Sequence, residues 1–265
     1  MRLKLTAIIL AGVSQIVGCA SSQKPGDIPY PAFIQVDELQ DTSVATMPGV
    51  RATPFSGNVR TNTFGSQIDI PPGWSGTTGV APDKSVEIFV LAGKLRLSGY
   101  SLDTGGYAYL PAGKQDYRLR TSAGAQVIYF LDEPDPKAFI RSPIIKESTY
   151  DWHYAIDGVH VILLRHDGGN GSRSWLRKVT VGASEPWESS SADREGYLVS
   201  GDYTTSECVA GKAVTGTYRP GGYFRRPASA LSGGPEANAI SESVWFFREG
   251  ANASVSYRDE CPPAD

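Results

Sequence analysis

Histidine is almost missing from this chain. Only His153, His160 and His166 occur in 265 residues, all in one short stretch. Imidazole chemistry spread over the sequence is thereby excluded, and so is a Ser–His pairing for Ser189-Ser190-Ser191, which have no histidine nearby in sequence. Methionine is also scarce, with two residues, against 29 Gly and 18 Pro. That balance predicts many turns and short strands rather than long helices. An excess of positive charge is lacking too: the formal net charge is −3 and no basic stripe with interleaved aromatics occurs, so nucleic acid is not an expected partner. Apolar runs long enough to span a bilayer are absent.

The one sizeable apolar run is N-terminal. Arg2 and Lys4 precede Leu5 to Val17, and the run ends in Ile16-Val17-Gly18-Cys19. A positive start and a short apolar core read as an export signal. Small residues ahead of a cysteine resemble the bacterial lipobox, with Ile16 where leucine is usual. The resemblance implies lipidation of Cys19, a membrane anchor, and, from Ala20 after it, an outer-membrane address facing the periplasm; inner-membrane or soluble periplasmic placement are the alternatives. Cys208 and Cys261 then remain, and an oxidising compartment lets them pair.

What the chain has in abundance is a repeated frame. Glu87-Ile-Phe-Val-Leu-Ala-Gly93 precedes Gly105-Gly106-Tyr107 and Pro111-Ala112-Gly113, and Glu195-Gly-Tyr-Leu-Val-Ser-Gly201 precedes Gly221-Gly222-Tyr223 and Pro227-Ala228-Ser229. In each copy acid and glycine lie six apart and tyrosine and proline four apart. Duplication outranks any single motif as a sign of architecture. Alternating segments such as Gln67–Ile70, Lys94–Leu97 and Tyr117–Arg120 read as strands, as does the apolar run Gln126–Phe130. Asp167-Gly168-Gly169-Asn170-Gly171 reads as a hairpin turn rather than a phosphate loop. The expectation is an all-β chain of two tandem barrels, with closure removing exposed edges: a signal at 1–18, a tether at 19–30, barrels at 31–140 and 141–255, and a tail at 256–265.

The Glu-(x)5-Gly and Gly-(x)4-Pro-x-Gly spacings resemble the two cupin motifs, and Pro31–Leu39, Val86–Gly93 and Gly221–Pro227 resemble more narrowly the ChrR-like bicupins of the DUF4437 group. The resemblance implies two RmlC-like jelly-roll barrels and, in metal-binding members, a site of histidines and a glutamate. Here Glu87 and Glu195 remain, while the histidine positions fall on Ala81 and Asp83 (or Val80 and Pro82), Asp116, Ser189 and Ser191 (or Glu188 and Ser190), and Ser232. No cofactor is therefore expected from imidazoles. Asp83, Glu87 and Asp116 could converge in the first barrel on a hard cation such as Mg²⁺, Ca²⁺ or Mn²⁺. Alternatively Glu87 and Asp116 form an acid/base pair, Arg118 and Arg120 neutralise the acids, or Asp83 and Asp116 simply face solvent. Period two puts Glu87 with Phe89 and Leu91, and Glu195 with Tyr197 and Val199. A carboxylate beside apolar neighbours costs free energy unless it is partnered, which predicts pocket roles or structural acids held by arginine, with Arg225 or Arg226 available in the second copy. Trp74, Tyr109 and Arg118 in the first unit, and Trp187, Glu195, Tyr197 and Ser232 in the second, are the candidate pocket residues. Three functions follow: a membrane-anchored protein binding a small organic ligand, an isomerase- or lyase-type enzyme using Glu87 and Asp116, or a non-catalytic scaffold.

Overall fold

In the computed structural model, described for residues 30–58, 60–78, 83–113, 117–134 and 144–263, the chain is built almost wholly from strands. The first unit is a ten-stranded sheet curled into a jelly-roll barrel. Its spine runs Ile144–Ile145, Tyr107–Leu110, Ser85–Leu97, Ala125–Asp132, Thr63–Ile70, Arg51–Asn58, Thr42–Ser43. The second barrel closes a seven-stranded sheet against a five-stranded one. The former runs Ile34–Gln35, Gly222–Arg226, Arg194–Ser200, Ser243–Glu249, Arg173–Val179, Val159–His166, His153–Ile156; the latter runs Lys212–Tyr218, Tyr203–Val209, Leu231–Ala239, Trp187–Ser190, Val255–Arg258. Asp167–Gly171 is the turn of the hairpin joining Val159–His166 to Arg173–Val179.

The repeated glycine has a local cause. Between Glu87 and Gly93 the pairing with Ala125–Asp132 slips by one residue, and between Glu195 and Gly201 the pairing with Ser243–Glu249 does the same. Each slip is a bulge that bends the strand. Gly93 follows it at φ +80, where a Cβ would lie 2.3 Å from the Gly124 carbonyl oxygen; Gly201, at φ +82, would meet the Glu242 carbonyl oxygen at 2.4 Å. Only glycine tolerates both the left-handed backbone and the close approach.

The barrels exchange edge strands. Ile34–Gln35, which precedes the first barrel, pairs with Gly222–Arg226 of the second, matching Ile34 with Tyr223. Ile144–Ile145, which precedes the second, pairs with Tyr107–Leu110 of the first, matching Ile145 with Tyr107. The sequence boundaries shift accordingly: residues 34–35 complete the second barrel's sheet rather than opening the first. The C-terminal segment, expected as a tail from 256, instead contributes the strand Val255–Arg258, and Cys261 is disulfide-bonded to Cys208.

Three apolar clusters form. Met47, Ile68, Val86, Ile88, Val90, Leu95, Leu97, Leu102 and Val127, among others, fill the first barrel. Phe224, Trp245, Phe247, Tyr203 and Tyr218 pack inside the second. Phe55, Phe89, Phe130, Tyr197, Tyr223 and Phe246 form a third cluster between the two large sheets, with Phe55 and Tyr223 ring centroids 4.5 Å apart.

Candidate functional site

The repeated glutamates lie in the layer between the barrels. Along Ser85–Leu97, Val86, Ile88 and Val90 enter the first barrel's core, so period two turns Glu87 and Phe89 outward onto the second barrel. Glu195 and Tyr197 make the matching choice, leaving Arg194, Gly196 and Leu198 to face the second barrel's interior. In each copy the GGY tyrosine donates to its own glutamate at 2.6 Å: Tyr107 to Glu87 and Tyr223 to Glu195. Both carboxylates then converge on one guanidinium. Arg248 Nε donates to Glu87 at 2.8 Å, Nη1 donates to Glu195 at 3.0 Å, and Nη2 donates to Asp132. Arg165 stands 3.7 Å from Glu87 and lies over the Tyr109 ring at 5.0 Å. Burial pushes the Glu87 carboxyl up, but Arg248 and Arg165 outweigh it and hold the group below the ordinary carboxylate range. Burial raises Asp132 instead, with Glu87 and Glu195 adding to the effect against Arg248. This is a clasp of two barrels, in which three carboxyl groups share Arg248 and Arg165 stands beside Glu87.

That geometry favours one of the two readings of Glu87 and Glu195: they are structural acids held by arginine, Arg248 rather than Arg225 or Arg226, and do not look into barrel pockets. Period two establishes which residues share a face, but not which face is inside. Asp83 does not join Glu87 either: its side chain is 72% exposed and lies 4.0 Å from the Lys84 ammonium, whereas the Glu87 side chain is fully enclosed. Asp116 and Cys19 lie outside the described residues. Arg118 is exposed on the strand Arg118–Arg120. Trp74 caps that barrel's end, its indole N–H donating to the Pro48 carbonyl at 2.9 Å. Tyr109 faces the clasp, and the Tyr197 hydroxyl donates across the barrels to Gln67 at 2.6 Å. Trp187 is buried and covers Gly234. Of the candidate pocket residues, Ser232 alone lines a cavity inside the second barrel.

The second barrel's interior holds what the first lacks. Arg177 enters it from Arg173–Val179, Arg194 from Arg194–Ser200, Arg226 from Gly222–Arg226 and Glu249 from Ser243–Glu249, while Arg173, its side chain 37% exposed, reaches Glu249 from the rim. Arg173 meets Glu249 at 2.5 Å, and Arg194 meets Glu249 at 2.7 Å and Glu188 at 2.6 Å. Arg177 lies 3.2 Å from Glu185 and 3.8 Å from Glu188. Arg226 pairs with Glu207 at 2.7 Å, and Glu207 also accepts from the Tyr30 hydroxyl at 2.9 Å. Burial pushes Glu188 up, yet Arg177, Arg194 and Arg226 together hold it below its ordinary range. A cavity of about 20 Å³ remains, lined by Arg177, Glu185, Glu188, Arg226, Ser232 and Trp245 among others; that is room for about one water. Among the described residues, the buried atoms of this barrel without a hydrogen-bond partner include Tyr218 Oη and Glu185 Oε1, the latter ion-paired with Arg177 at 3.2 Å.

Sequence reasoning passed over these residues because Arg173, Arg177, Arg194 and Glu249 alternate with apolar neighbours as a solvated strand face does. The available signal was the aromatic residue interleaved on the same face, Trp175 between Arg173 and Arg177 and Phe247 before Glu249.

The donor set does not suit a cupin metal. His153 and His166 are exposed, His160 lies on the outer strand pair beside Tyr154, and no histidine enters either interior. The second barrel's carboxylates are engaged by guanidiniums, whose charge opposes a cation in the same space. Among the described residues no cluster of three ligating side chains occurs.

No protein-family profile matches the chain, and no curated protein does. Solved structures do. The Escherichia coli protein YlbA superposes with a TM-score of 0.67 at 14% identity, covering 82% of this chain and 89% of that one. The oxalate decarboxylase of Lactobacillus farciminis, solved as a formate complex, gives 0.62 at 11% identity, covering 88% and 90%. A variant of the Bacillus subtilis oxalate decarboxylase OxdC gives 0.59 at 11% identity, covering 88% and 81%. At such identities the likeness establishes fold and nothing of chemistry: the chain has the cupin architecture of two tandem jelly-roll barrels.

Proposed function

We propose that this chain is a ChrR-like bicupin lipoprotein, anchored through lipidated Cys19 at the outer membrane and facing the periplasm, whose second barrel binds a small polar organic ligand without a transition metal. The observation that carries this reading is the second barrel's interior: a cavity lined by Arg177, Arg226, Glu185 and Glu188 among the aromatic side chains of Tyr203, Phe224, Trp245 and Phe247. Aromatic surface with a few fixed polar groups is how small-molecule sites are lined. Among the described residues the first barrel's core is mainly aliphatic.

The membrane address rests on Arg2, Lys4, the apolar run to Val17 and the lipobox-like Ile16-Val17-Gly18-Cys19. Residues 20 to 29 then lead to Tyr30, which is tied to the second barrel through Glu207.

The test is thermal unfolding of the purified full-length protein, with bound metals measured on the same sample and a panel of small polar metabolites added. Saturable stabilisation by a panel member in metal-free protein is expected. Stoichiometric Fe, Mn, Ni or Zn would overturn the metal-independent reading, and no response to any compound would move the protein to the scaffold class. For the address, Cys19→Ser is expected to release the protein from membranes; retention there counts against lipidation.

A further inference from the structure

Glu188 sits where an anion is wanted. Its carboxylate lies 2.6 Å from Arg194 and 3.8 Å from Arg177, with Arg226 also within electrostatic reach. It is also the least enclosed of the four interior glutamates: its side chain is 16% exposed, against 6% for Glu185, 3% for Glu207 and none for Glu249. The strand that carries it, Trp187–Ser190, lies in the outer five-stranded sheet. Glu188 is therefore the interior glutamate nearest to solvent.

Charge and volume favour exchange. Arg173, Arg177, Arg194 and Arg226 balance Glu185, Glu188, Glu207 and Glu249 one for one, so a soluble monoanion in place of Glu188 leaves the interior neutral and avoids an uncompensated buried charge. Planar guanidiniums match a carboxylate in geometry as well as charge. The Glu188 side chain is itself a propionate; its vacated space, added to the cavity of about 20 Å³, suits an acid of two or three carbons. Glu185 borders the same cavity, ion-paired with Arg177 at 3.2 Å and hydrogen-bonded to Tyr203, and its Oε1 has capacity to accept one further hydrogen bond from a ligand.

We propose that the second barrel takes a small hydroxy-carboxylic acid, which enters by displacing the Glu188 side chain, places its carboxylate on Arg177 and Arg194, and donates its hydroxyl to Glu185 Oε1. The proposal rests on the second barrel being the ligand site, and names the ligand's class. Glu188 then acts as an internal competitor that keeps the arginines paired when no ligand is bound.

The experiment uses the full-length lipoprotein in detergent, titrated calorimetrically with acetate, glycolate and glycerol, with sodium chloride at matched ionic strength as control. Glycolate is expected to bind more tightly than acetate, and glycerol not at all. Removing the intramolecular competitor in Glu188→Ala should tighten both acids by roughly tenfold or more, and Glu188→Gln, which keeps the side chain's shape, should tighten them too should the alanine variant fail to fold. Glu185→Leu, which removes the acceptor, should erase the advantage of glycolate over acetate. Acids binding no more tightly to either Glu188 variant, or acting only as chloride does, would overturn the proposal. Binding of glycerol without binding of the acids would overturn the ligand class while leaving the second barrel as the site; no binding to wild type or variants would remove both.

Discussion

The residue before the repeated glutamate is Val86 in the first barrel and Arg194 in the second, and these two positions divide the molecule. Val86 sits among aliphatic neighbours; Arg194 spans Glu188 and Glu249. Further along, at Leu91 and Gly93 in one copy and Val199 and Gly201 in the other, the bulge and the positive-φ glycine are retained, as is the tyrosine that donates to each glutamate. The duplicated frame therefore encodes the joint between barrels, which both halves must share. The interiors, which need not agree, have gone separate ways, one to dispersion and hydrophobic burial, the other to paired charge.

The joint should be the most costly place to cut. Arg248→Met removes the common partner of Glu87, Glu195 and Asp132, leaving a fully enclosed carboxylate with a smaller share of positive charge. Breaking a buried pair by deleting one partner costs about 3–5 kcal/mol, and the upper end is expected here. Denaturant unfolding measures it. A loss below about 1 kcal/mol, the range of exposed ion pairs, would mean that the aromatic layer alone holds the barrels together.

Arg194→Val transplants the character of the first barrel into the second, and should cost about 3–4 kcal/mol because Glu188 and Glu249 lose their shared cation. Adding Glu188→Leu and Glu249→Leu should recover part of that loss, since no carboxylate is then stranded and Arg173, which loses Glu249, has a side chain 37% exposed to water. Failure to recover would mark the charges as needed for the second barrel's shape. The same contrast has a pH signature. Glu87, Glu188 and Glu249 are held below their ordinary values by arginines, so their stabilisation is complete above the unfolded carboxylate range and is lost as pH falls through the folded values. Asp132 is raised and acts in the opposite sense, favouring the folded state as it protonates. Acid unfolding of the wild type should accordingly be steeper than that of the triple variant, which lacks two of the three depressed acids.

In the first barrel Leu95→Ala should cost about 3 kcal/mol, through lost transfer free energy and the cavity left behind. Leu95 is fully buried. Unlike the charge variants, its loss should be nearly independent of salt and should leave the ligand response of the second barrel intact. Loss of that response in an otherwise folded Leu95→Ala protein would place the binding site in the first barrel after all.

Two barrels, the strand-rich class and the hairpin at Asp167–Gly171 were legible because alternation, glycine spacing and duplication are local signals. The partition of the interiors was not. Glu87 and Arg194 both occur in strands with alternating burial, and a one-residue difference in parity decides whether a side chain meets its own barrel or its neighbour. Arg248 could not be singled out either, since its partners lie 161, 116 and 53 residues away in sequence. The exchanged edge strands are hidden for a related reason: Ile34–Gln35 and Ile144–Ile145 are two residues each, too short for periodicity to say which sheet they complete.

The smallest expected effect concerns that exchange. Tyr30→Phe deletes a hydroxyl that donates to Glu207 at 2.9 Å while leaving the ring in place. Glu207 keeps Arg226, so no charge is stranded, and the loss should be about 1 kcal/mol, that of one hydrogen bond. Phe33 nearby packs on the Tyr218 ring at 5.5 Å and lies over Gly216, so the segment stays docked. The consequence should be local. Amide exchange should quicken along Ile34–Gln35 and its partner Gly222–Arg226, and stay unchanged at the mirrored junction of Ile144–Ile145 with Tyr107–Leu110. Faster exchange at both junctions would show that the two edge exchanges open together, and that the barrels, however different inside, behave as one cooperative unit.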